Sequence, residues 1–224
     1  MLARADVACL VAGFSLWFSV VGASGGLSAD AFFAALTLRS VLAALLISSS
    51  HVLYALVWYS PKSFMSLCAA LAPRSTAVSV FSALVAVAKV TQQVGLIGWA
   101  STHGNVLEMV ISMGAVRWVT ALLLMGVGQS LNLSIYRAIG KDGVYYGFKL
   151  GRPVPWSTAF PFNAGFRHPQ YVGGMLSQLG VFALLATPSS LHAGLLALMA
   201  WWVLLYALTS LMEASDDNDI KGAD

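Results

Sequence analysis

The sequence predicts an all-α, polytopic membrane protein that folds as a helical bundle. Of the 224 residues, 58% are apolar and 9% are charged, whereas soluble domains usually contain about 25% charged residues. The mean hydropathy is +0.79, and the chain contains 7 Trp, 7 Tyr and 11 Phe. A soluble globule is therefore excluded, and so is a disordered chain, because disorder requires high charge and few aromatic residues.

Stretches of about 20 mostly apolar residues are long enough to cross a bilayer, since each helical residue rises about 1.5 Å. Five to six transmembrane helices are expected, and the turn Thr187-Pro188-Ser189 predicts that the last two form a C-terminal helical hairpin. Lys89 and Arg117 should face the bundle interior or snorkel, because a cation at a helix centre costs about 2.5–3.5 kcal/mol. The candidate spans are residues 7–23, 40–59, 78–99, 111–134, 170–187 and 190–212.

The first 35 residues have two interpretations. Arg4, the apolar run after it and Val21-Gly22-Ala23 are typical of a secretory signal peptide. Asp6, which stands in the supposed basic region, and the length of the run favour a retained extra span instead. The rest of the topology is the same in either case.

The distribution of Lys and Arg sets the predicted orientation. Two loops are basic, residues 60–77 and 135–169, whereas loop 100–110 contains no Lys or Arg. With six spans the two basic loops lie on one side together with both termini, and the positive-inside rule places that side in the cytoplasm. The whole chain, 1–224, is expected to form one integral-membrane domain that ends in an acidic tail, 214–224.

One loop differs from the rest of the chain in composition. Eight aromatic residues lie between Tyr145 and Tyr171, and four of the seven prolines fall in the same loop. An ordinary interfacial belt of aromatic residues with snorkelling cations would explain this composition. A pocket for a lipid headgroup would explain it equally, with Arg or Lys on a phosphate and aromatic faces around an ammonium.

The end of this loop predicts the start of a helix. Proline favours the first helical position, so Pro169 should begin a helix with His168 at its N-cap. The positive helix N-terminus favours the neutral imidazole, which can accept a proton. Gly173 and Gly180 lie on one face of this helix and would allow close approach of a neighbouring helix or a cofactor.

The run Arg167-His168-Pro169-x-Tyr171-x-Gly173 resembles the signature of integral-membrane methyltransferases, which include phospholipid N-methyltransferases and isoprenylcysteine carboxyl methyltransferases. Further elements are similar to the phospholipid branch, and the resemblance covers about residues 40–213. These elements are Phe160-Pro161-Phe162-Asn163, Tyr145-Tyr146-Gly147 and the run Met125-Gly126-Val127-Gly128-Gln129.

The resemblance implies S-adenosyl-L-methionine as the cofactor. It carries cofactor binding over to Gly126, Val127 and Gly128, and to the position of a Glu-Glu pair after the last span, here Glu213 and Ala214. Ala214 stands where the family has its second acid, so this chain lacks the second carboxylate at that position. On spacing alone, Gly126 and Gly128 would more commonly serve helix packing.

The reaction implied is N-methylation of phosphatidylethanolamine or its mono- and dimethyl derivatives, ending at phosphatidylcholine. Asn163, Arg167, His168 and Tyr171 are the predicted catalytic group, with His168 as the hypothetical general base and Glu213 as the alternative base. No metal is required, and no acidic cluster in the sequence would hold one.

Other functions stay open at this point. The nearest is an isoprenylcysteine carboxyl methyltransferase-like enzyme with a different acceptor, and a small membrane transporter or a structural descendant of such an enzyme are the others. The expected partners are a membrane phospholipid and the bilayer, without nucleic acid, and the oligomeric state is left open. The expected location is the endoplasmic reticulum membrane.

Overall fold

The computed structural model describes residues 2–22 and 37–221, with side chains described as far as residue 213. Residues 23–36 of the N-terminal segment and the side chains of the acidic tail, including that of Ala214, lie outside the described residues. The helices are α1 (Arg4–Gly22), α2 (Leu38–Tyr59), α3 (Pro61–Leu71), α4 (Ala77–Ser101), α5 (Val106–Ile111), α6 (Ala115–Val144), α7 (Pro169–Leu185), α8 (Pro188–His192) and α9 (Leu195–Lys221), with a 3₁₀ turn at Phe162–Ala164.

Five of the described helices are long and apolar enough to cross a membrane, namely α1, α2, α4, α6 and the part of α9 up to Glu213. The predicted all-α membrane bundle is therefore confirmed. The fifth predicted stretch, residues 170–187, forms α7, which has 17 residues and is about 26 Å long. Thirteen of these residues are buried, because α1, α6 and α9 all pack against α7.

Local sequence explains where several helices begin. The hydroxyls of Thr37 and Thr76 accept hydrogen bonds from backbone N–H groups in the first turns of α2 and α4, at 3.2 Å in each case. Proline occupies the first position of α3, α7 and α8, where its missing N–H has no partner to lose. The predicted helix start at Pro169 is confirmed.

The helix bounds differ from the apolar stretches in two places. Helix α6 continues ten residues beyond residue 134, because a helix that leaves the hydrocarbon core can continue with polar residues that hydropathy does not register. It bends at Gly140, whose φ is +66°. The predicted span 190–212 is instead a short helix, α8, followed by α9, and the turn before it is closed by the capping box of Thr187 and Ser190.

Helices α6 and α7 form the most extensive helix pair. A Cβ on Gly173 would lie 2.6 Å from the carbonyl oxygen of Gly128, so the two backbones approach closely only because both residues are glycine. Where α7 ends, the guanidinium of Arg117 on α6 donates a hydrogen bond to the carbonyl of Ala186. This in-span cation faces a helix C-terminus inside the bundle, where positive charge is favoured.

Candidate active site

The side chains that can act as acids, bases or ligand-binding groups gather at one end of the bundle, which we call the basic end. It contains the starts of α1 and α7, the ends of α2 and α6, the loop between α6 and α7, and the region of α9 around Glu213. A cavity of about 240 Å³ lies there, and we call it the Glu213 cavity. Four residues of the predicted site line it, namely Arg167, His168, Tyr171 and Glu213. The rest of the lining includes Gln170 and the rings of Trp58, Tyr146, Phe148, Trp156 and Phe162.

The carboxylate of Glu213 is held by two tyrosines. The hydroxyls of Tyr146 and Tyr171 both donate a hydrogen bond to Oε1 of Glu213, and both tyrosines are buried. Burial, and then the nearby Glu213 carboxylate, raise the pKa of the Tyr146 hydroxyl well above its usual range. Tyr146 therefore remains a donor at physiological pH, and the carboxylate is fixed in position.

Tyr146 was absent from the predicted site residues. The sequence signal for Tyr146 was the run Tyr145-Tyr146-Gly147. In the structure Gly147 makes a turn that requires glycine, because a Cβ there would lie 2.6 Å from the carbonyl oxygen of Asp142. Tyr146 adopts a left-handed backbone with φ of +53°, which is uncommon for a residue with a side chain. Such a conformation persists where the surroundings enforce it.

The rings around Tyr146 provide that enforcement. Its ring centroid lies 5.3 Å from that of Tyr54, 5.0 Å from Trp58 and 5.9 Å from Phe81, distances at which aromatic pairs attract. The ammonium of Lys149 lies 3.8 Å from the centroid of the Trp58 ring. The cavity wall is thus a cluster of packed aromatic rings that already engages one cation.

Of the remaining predicted catalytic residues, His168 and Arg167 line this cavity and Asn163 does not. His168 is the N-cap of α7, and its ring centroid lies 6.0 Å from that of Tyr171. Arg167 is exposed but lines the cavity. Asn163, in the 3₁₀ turn, is exposed and does not line it.

The run Gly126-Val127-Gly128 lies deeper in the bundle than the Glu213 cavity. Gly128 is seven residues before Ile135, the first residue of α6 in the cavity lining, which corresponds to about 10 Å along the helix axis. Gly128 packs against α7, whereas Gly126 has open space around it and Val127 is exposed. The structure does not bring these three residues to Glu213, and their contact with a cofactor stays a prediction.

The backbone before α7 is held by a residue from the other end of the chain. The carboxylate of Asp6, on α1, accepts hydrogen bonds from the backbone N–H groups of Arg167 and His168, each at 3.2 Å. Asp6 is fully buried. Nothing in the spacing of the sequence links residue 6 to residue 167, so sequence reasoning missed this contact.

A second, larger cavity adjoins the first, and we call it the amide cleft because amide side chains dominate its polar lining. Its volume is about 480 Å³, and it lies between α4 and α6 with α7 behind it. Lys89 is at its wall, while Val94 and Ile97 of α4 are 63% and 45% exposed, so the cleft opens on the lipid-facing surface. The amides are Gln92, Gln93, Gln129, Asn132, Gln170 and Gln178.

The two cavities meet at three shared lining residues, Ile135, Val144 and Gln170. At this junction the side-chain amide of Gln170 donates to the hydroxyl of Tyr54 at 3.4 Å. A ligand entering from the bilayer through the amide cleft would therefore come next to a ligand bound beside Glu213. Among the described residues, no group of three His, Cys, Asp or Glu side chains is placed to hold a metal ion.

Comparison with known proteins finds one family to which part of the chain is similar. The sequence model of the phospholipid methyltransferase family matches residues 116–215, which contain α6, α7, α8 and the part of α9 that bears Glu213. This segment is similar to the phospholipid methyltransferase family. The predicted resemblance is thereby confirmed for these 100 of the 224 residues, which carry the Arg167-His168-Pro169 motif.

A curated relative supports the same assignment. The chain is 31% identical over 121 residues to a protein from Arabidopsis thaliana named phosphatidyl-N-methylethanolamine N-methyltransferase. The match covers 49% of this chain and 63% of the relative, so the chain spans less than two thirds of the relative's length. No solved structure gives a significant match. Asp6, Tyr54, Trp58 and Lys89 all lie outside the segment that the phospholipid methyltransferase family model matches.

Proposed function

We propose that the protein transfers a methyl group from S-adenosyl-L-methionine to the amine of phosphatidylethanolamine or of its mono- or dimethyl derivatives, ending at phosphatidylcholine. The observation that carries this proposal is the meeting of Glu213, fixed by two tyrosine hydroxyls, with Arg167, His168 and Tyr171 in one cavity. The phospholipid methyltransferase match and the name of the Arabidopsis relative support the same reaction.

The Glu213 cavity is suited to a cationic ligand. Carboxylates and the faces of Trp and Tyr rings both attract positive charge, and aromatic cages bind quaternary ammonium groups. Trp58 and Tyr146 line the cavity with ring centroids 5.0 Å apart, and Glu213 lies between Tyr146 and Tyr171. These residues would hold the positively charged groups of S-adenosyl-L-methionine. When bound, that cofactor would supply an electrophilic methyl group on its sulfonium: the amine would form a bond to the methyl carbon, the carbon–sulfur bond would break, and the sulfur would leave as a thioether.

The amide cleft is suited to the phospholipid headgroup. A lipid approaches from the bilayer, and the cleft opens there between Val94 and Ile97. Lys89 offers a cation for the phosphate, and amides such as Gln129 and Asn132 offer hydrogen bonds to ester and phosphate oxygens. The amine would reach the Glu213 cavity at the junction beside Gln170.

The amine must lose a proton before it can attack, because only the neutral form has a lone pair. If the headgroup titrates like lysine, with a pKa of about 10.4, deprotonation near pH 7 costs about 4.6 kcal/mol. Desolvation among the aromatic rings lowers that cost, since burial disfavours the charged amine. We assign the role of proton acceptor to His168, with Glu213 as the alternative, and positioning of two bound reactants accounts for much of the remaining acceleration.

The basic end supports a cytoplasmic orientation for the site. It contains Lys149, Arg152 and Arg167, and the positive-inside rule places such a side in the cytoplasm. We propose an endoplasmic reticulum membrane with the active-site loop and the C-terminus on the cytoplasmic side, where the soluble cofactor is available. Packing of α1 into the bundle, with Trp17 and Val21 fully buried, supports its retention as an extra span.

The test is methyl transfer by the purified full chain in liposomes. Wild-type protein should move labelled methyl groups from S-adenosyl-L-methionine onto phosphatidylmonomethylethanolamine, and Glu213→Gln should reduce the reaction strongly. Glu108→Gln is the matched control, because Glu108 is exposed at the opposite end of the bundle on α5. Absence of labelled phospholipid with folded wild-type protein would refute the proposal, and labelling of an isoprenylcysteine carboxylate instead would transfer the assignment to that enzyme class.

A further inference from the structure

Helix α1 is built into the bundle although it lies far outside the phospholipid methyltransferase match. It packs against α7 and α6, with Leu10, Trp17 and Val21 in the core. At Gly13 an added Cβ would run into the side chain of Leu176 on α7. The start of α1 is therefore held in a defined position at the start of α7.

Asp6 uses both carboxylate oxygens at this contact. Its Oδ2 accepts from the backbone N–H of Arg167 at 3.2 Å and from that of Ala3 at 2.8 Å, and its Oδ1 accepts from the backbone N–H of His168 at 3.2 Å. The two long-range bonds link positions 161 and 162 residues apart in the sequence. Asp6 has no solvent exposure, so water cannot replace these bonds.

Asp6 holds the backbone of Arg167 and His168, which belong to the Arg167-His168-Pro169 motif. Helix α7 begins with Pro169, and the carbonyl of His168 accepts the first hydrogen bonds of the helix, from the N–H groups of Tyr171 and Val172. The N–H groups of Arg167 and His168 lie ahead of the helix and have no carbonyl within it. A carboxylate from α1 satisfies them, and it also complements the positive end of the helix dipole.

We propose that Asp6 is a positioning residue of the active site: by fixing the backbone of Arg167 and His168, it sets where their side chains stand at the Glu213 cavity. The inference rests on the proposed function for its catalytic consequence, but its structural content is independent of the reaction. A charged carboxylate suits this place because each oxygen accepts hydrogen bonds, whereas the amide of Asn would turn an NH₂ group toward one of the backbone donors. The N-terminal helix therefore contributes to catalysis without touching substrate.

The test compares Asp6→Asn with Leu10→Ala in the purified full chain. Leu10→Ala removes core packing from the same helix without changing the acceptor for Arg167 and His168. In Asp6→Asn, kcat per folded molecule should fall by about tenfold or more, because one buried donor loses its partner, while the KM values for cofactor and lipid change little. Leu10→Ala should lower the unfolding temperature and leave kcat nearly unchanged.

A second readout does not depend on methyl transfer. The amides of Arg167 and His168 should exchange hydrogen with solvent faster in Asp6→Asn than in wild-type protein, measured on peptides that span residues 163–172, and Leu10→Ala should not show this local change. If wild-type protein has no methyltransferase activity, the exchange data alone decide the inference. Equal loss of stability in both variants, with kcat and local exchange preserved, would mean that Asp6 only anchors α1.

A matched pair covers the case in which Asp6→Asn does not fold. Asp6→Glu and Asp6→Gln have the same length and differ in charge, so only the glutamate should retain slow exchange and partial turnover. The intact mass of the active protein shows whether residues 1–22, which contain α1, are still present. Loss of residues 1–22 from active protein would overturn the inference.

Discussion

Gly128 and Gly173 meet backbone to backbone at the crossing of α6 and α7. A Cβ on Gly173 would lie 2.6 Å from the carbonyl oxygen of Gly128, closer than side chains approach carbonyls in folded proteins. Gly126, two residues earlier, has nothing within 4 Å of such a Cβ. Gly126 and Gly128, which belong to one sequence motif, thus lie in different surroundings, and this difference can be tested.

We expect Gly128→Ala to destabilise the bundle and Gly126→Ala to leave it intact. The alanine methyl at 128 would force α6 and α7 apart, and overpacking of this kind costs about 1–3 kcal/mol. Thermal unfolding in detergent measures the difference, with Gly126→Ala as the control. If Gly126→Ala weakens S-adenosyl-L-methionine binding without lowering the unfolding temperature, the cofactor contact inferred from the family resemblance is correct. Equal unfolding temperatures for Gly126→Ala and Gly128→Ala would contradict the packing argument.

Tyr146→Phe and Tyr171→Phe should each weaken binding of S-adenosyl-L-methionine. Each removes one of the two hydroxyls that hold Oε1 of Glu213, and a hydrogen bond to a charged group contributes about 1.5–3 kcal/mol. The dissociation constant should therefore rise by roughly tenfold or more in each single variant. Tyr59→Phe is the control, because Tyr59 is 72% exposed at the end of α2; unchanged affinity in both cavity variants would remove Glu213 from the cofactor site.

His168→Ala should lower turnover far more than cofactor affinity. A general base contributes about 10²–10⁴-fold to a rate, whereas removal of the imidazole leaves the Glu213 carboxylate and its two tyrosines in place. The measurement is kcat for methylation of phosphatidylmonomethylethanolamine beside the dissociation constant for the cofactor. His192→Ala is the control, since His192 is exposed on α8 at the opposite end. Loss of cofactor affinity with normal turnover of the bound fraction would assign His168 to cofactor binding instead.

Lys89→Met should raise the KM for the phospholipid and leave cofactor affinity unchanged. Lys89 lines the amide cleft, and charge-assisted bonds to phosphate are stronger than neutral ones. Steady-state kinetics with phospholipid in mixed micelles give the KM, and Lys62→Met on α3 is the matched control because Lys62 is exposed away from both cavities. A change in cofactor affinity with no change in lipid KM would exchange the roles of the two cavities.

Hydropathy was sufficient to locate most of the helices, but it could not locate all their ends. A helix continues as long as its backbone groups pair along it, so α6 continues through polar residues to Val144 beyond the apolar stretch that predicted it. Motif resemblance brought Arg167, His168, Tyr171 and Glu213 into one hypothesis, and all four line one cavity. Asn163, Gly126 and Gly128 were in the same hypothesis and lie outside that cavity.

The membrane class, the helix start at Pro169 and the resemblance of residues 116–215 to phospholipid methyltransferases follow from local properties of the sequence, because hydropathy, proline geometry and short motifs act between near neighbours. The partners of those motifs depend on how the helices pack. Asp6 reaches His168 because α1 lies along α7, and Tyr146 reaches Glu213 because a left-handed turn directs its hydroxyl toward α9. Such contacts join residues 162 and 67 positions apart, and no local pattern contains that information.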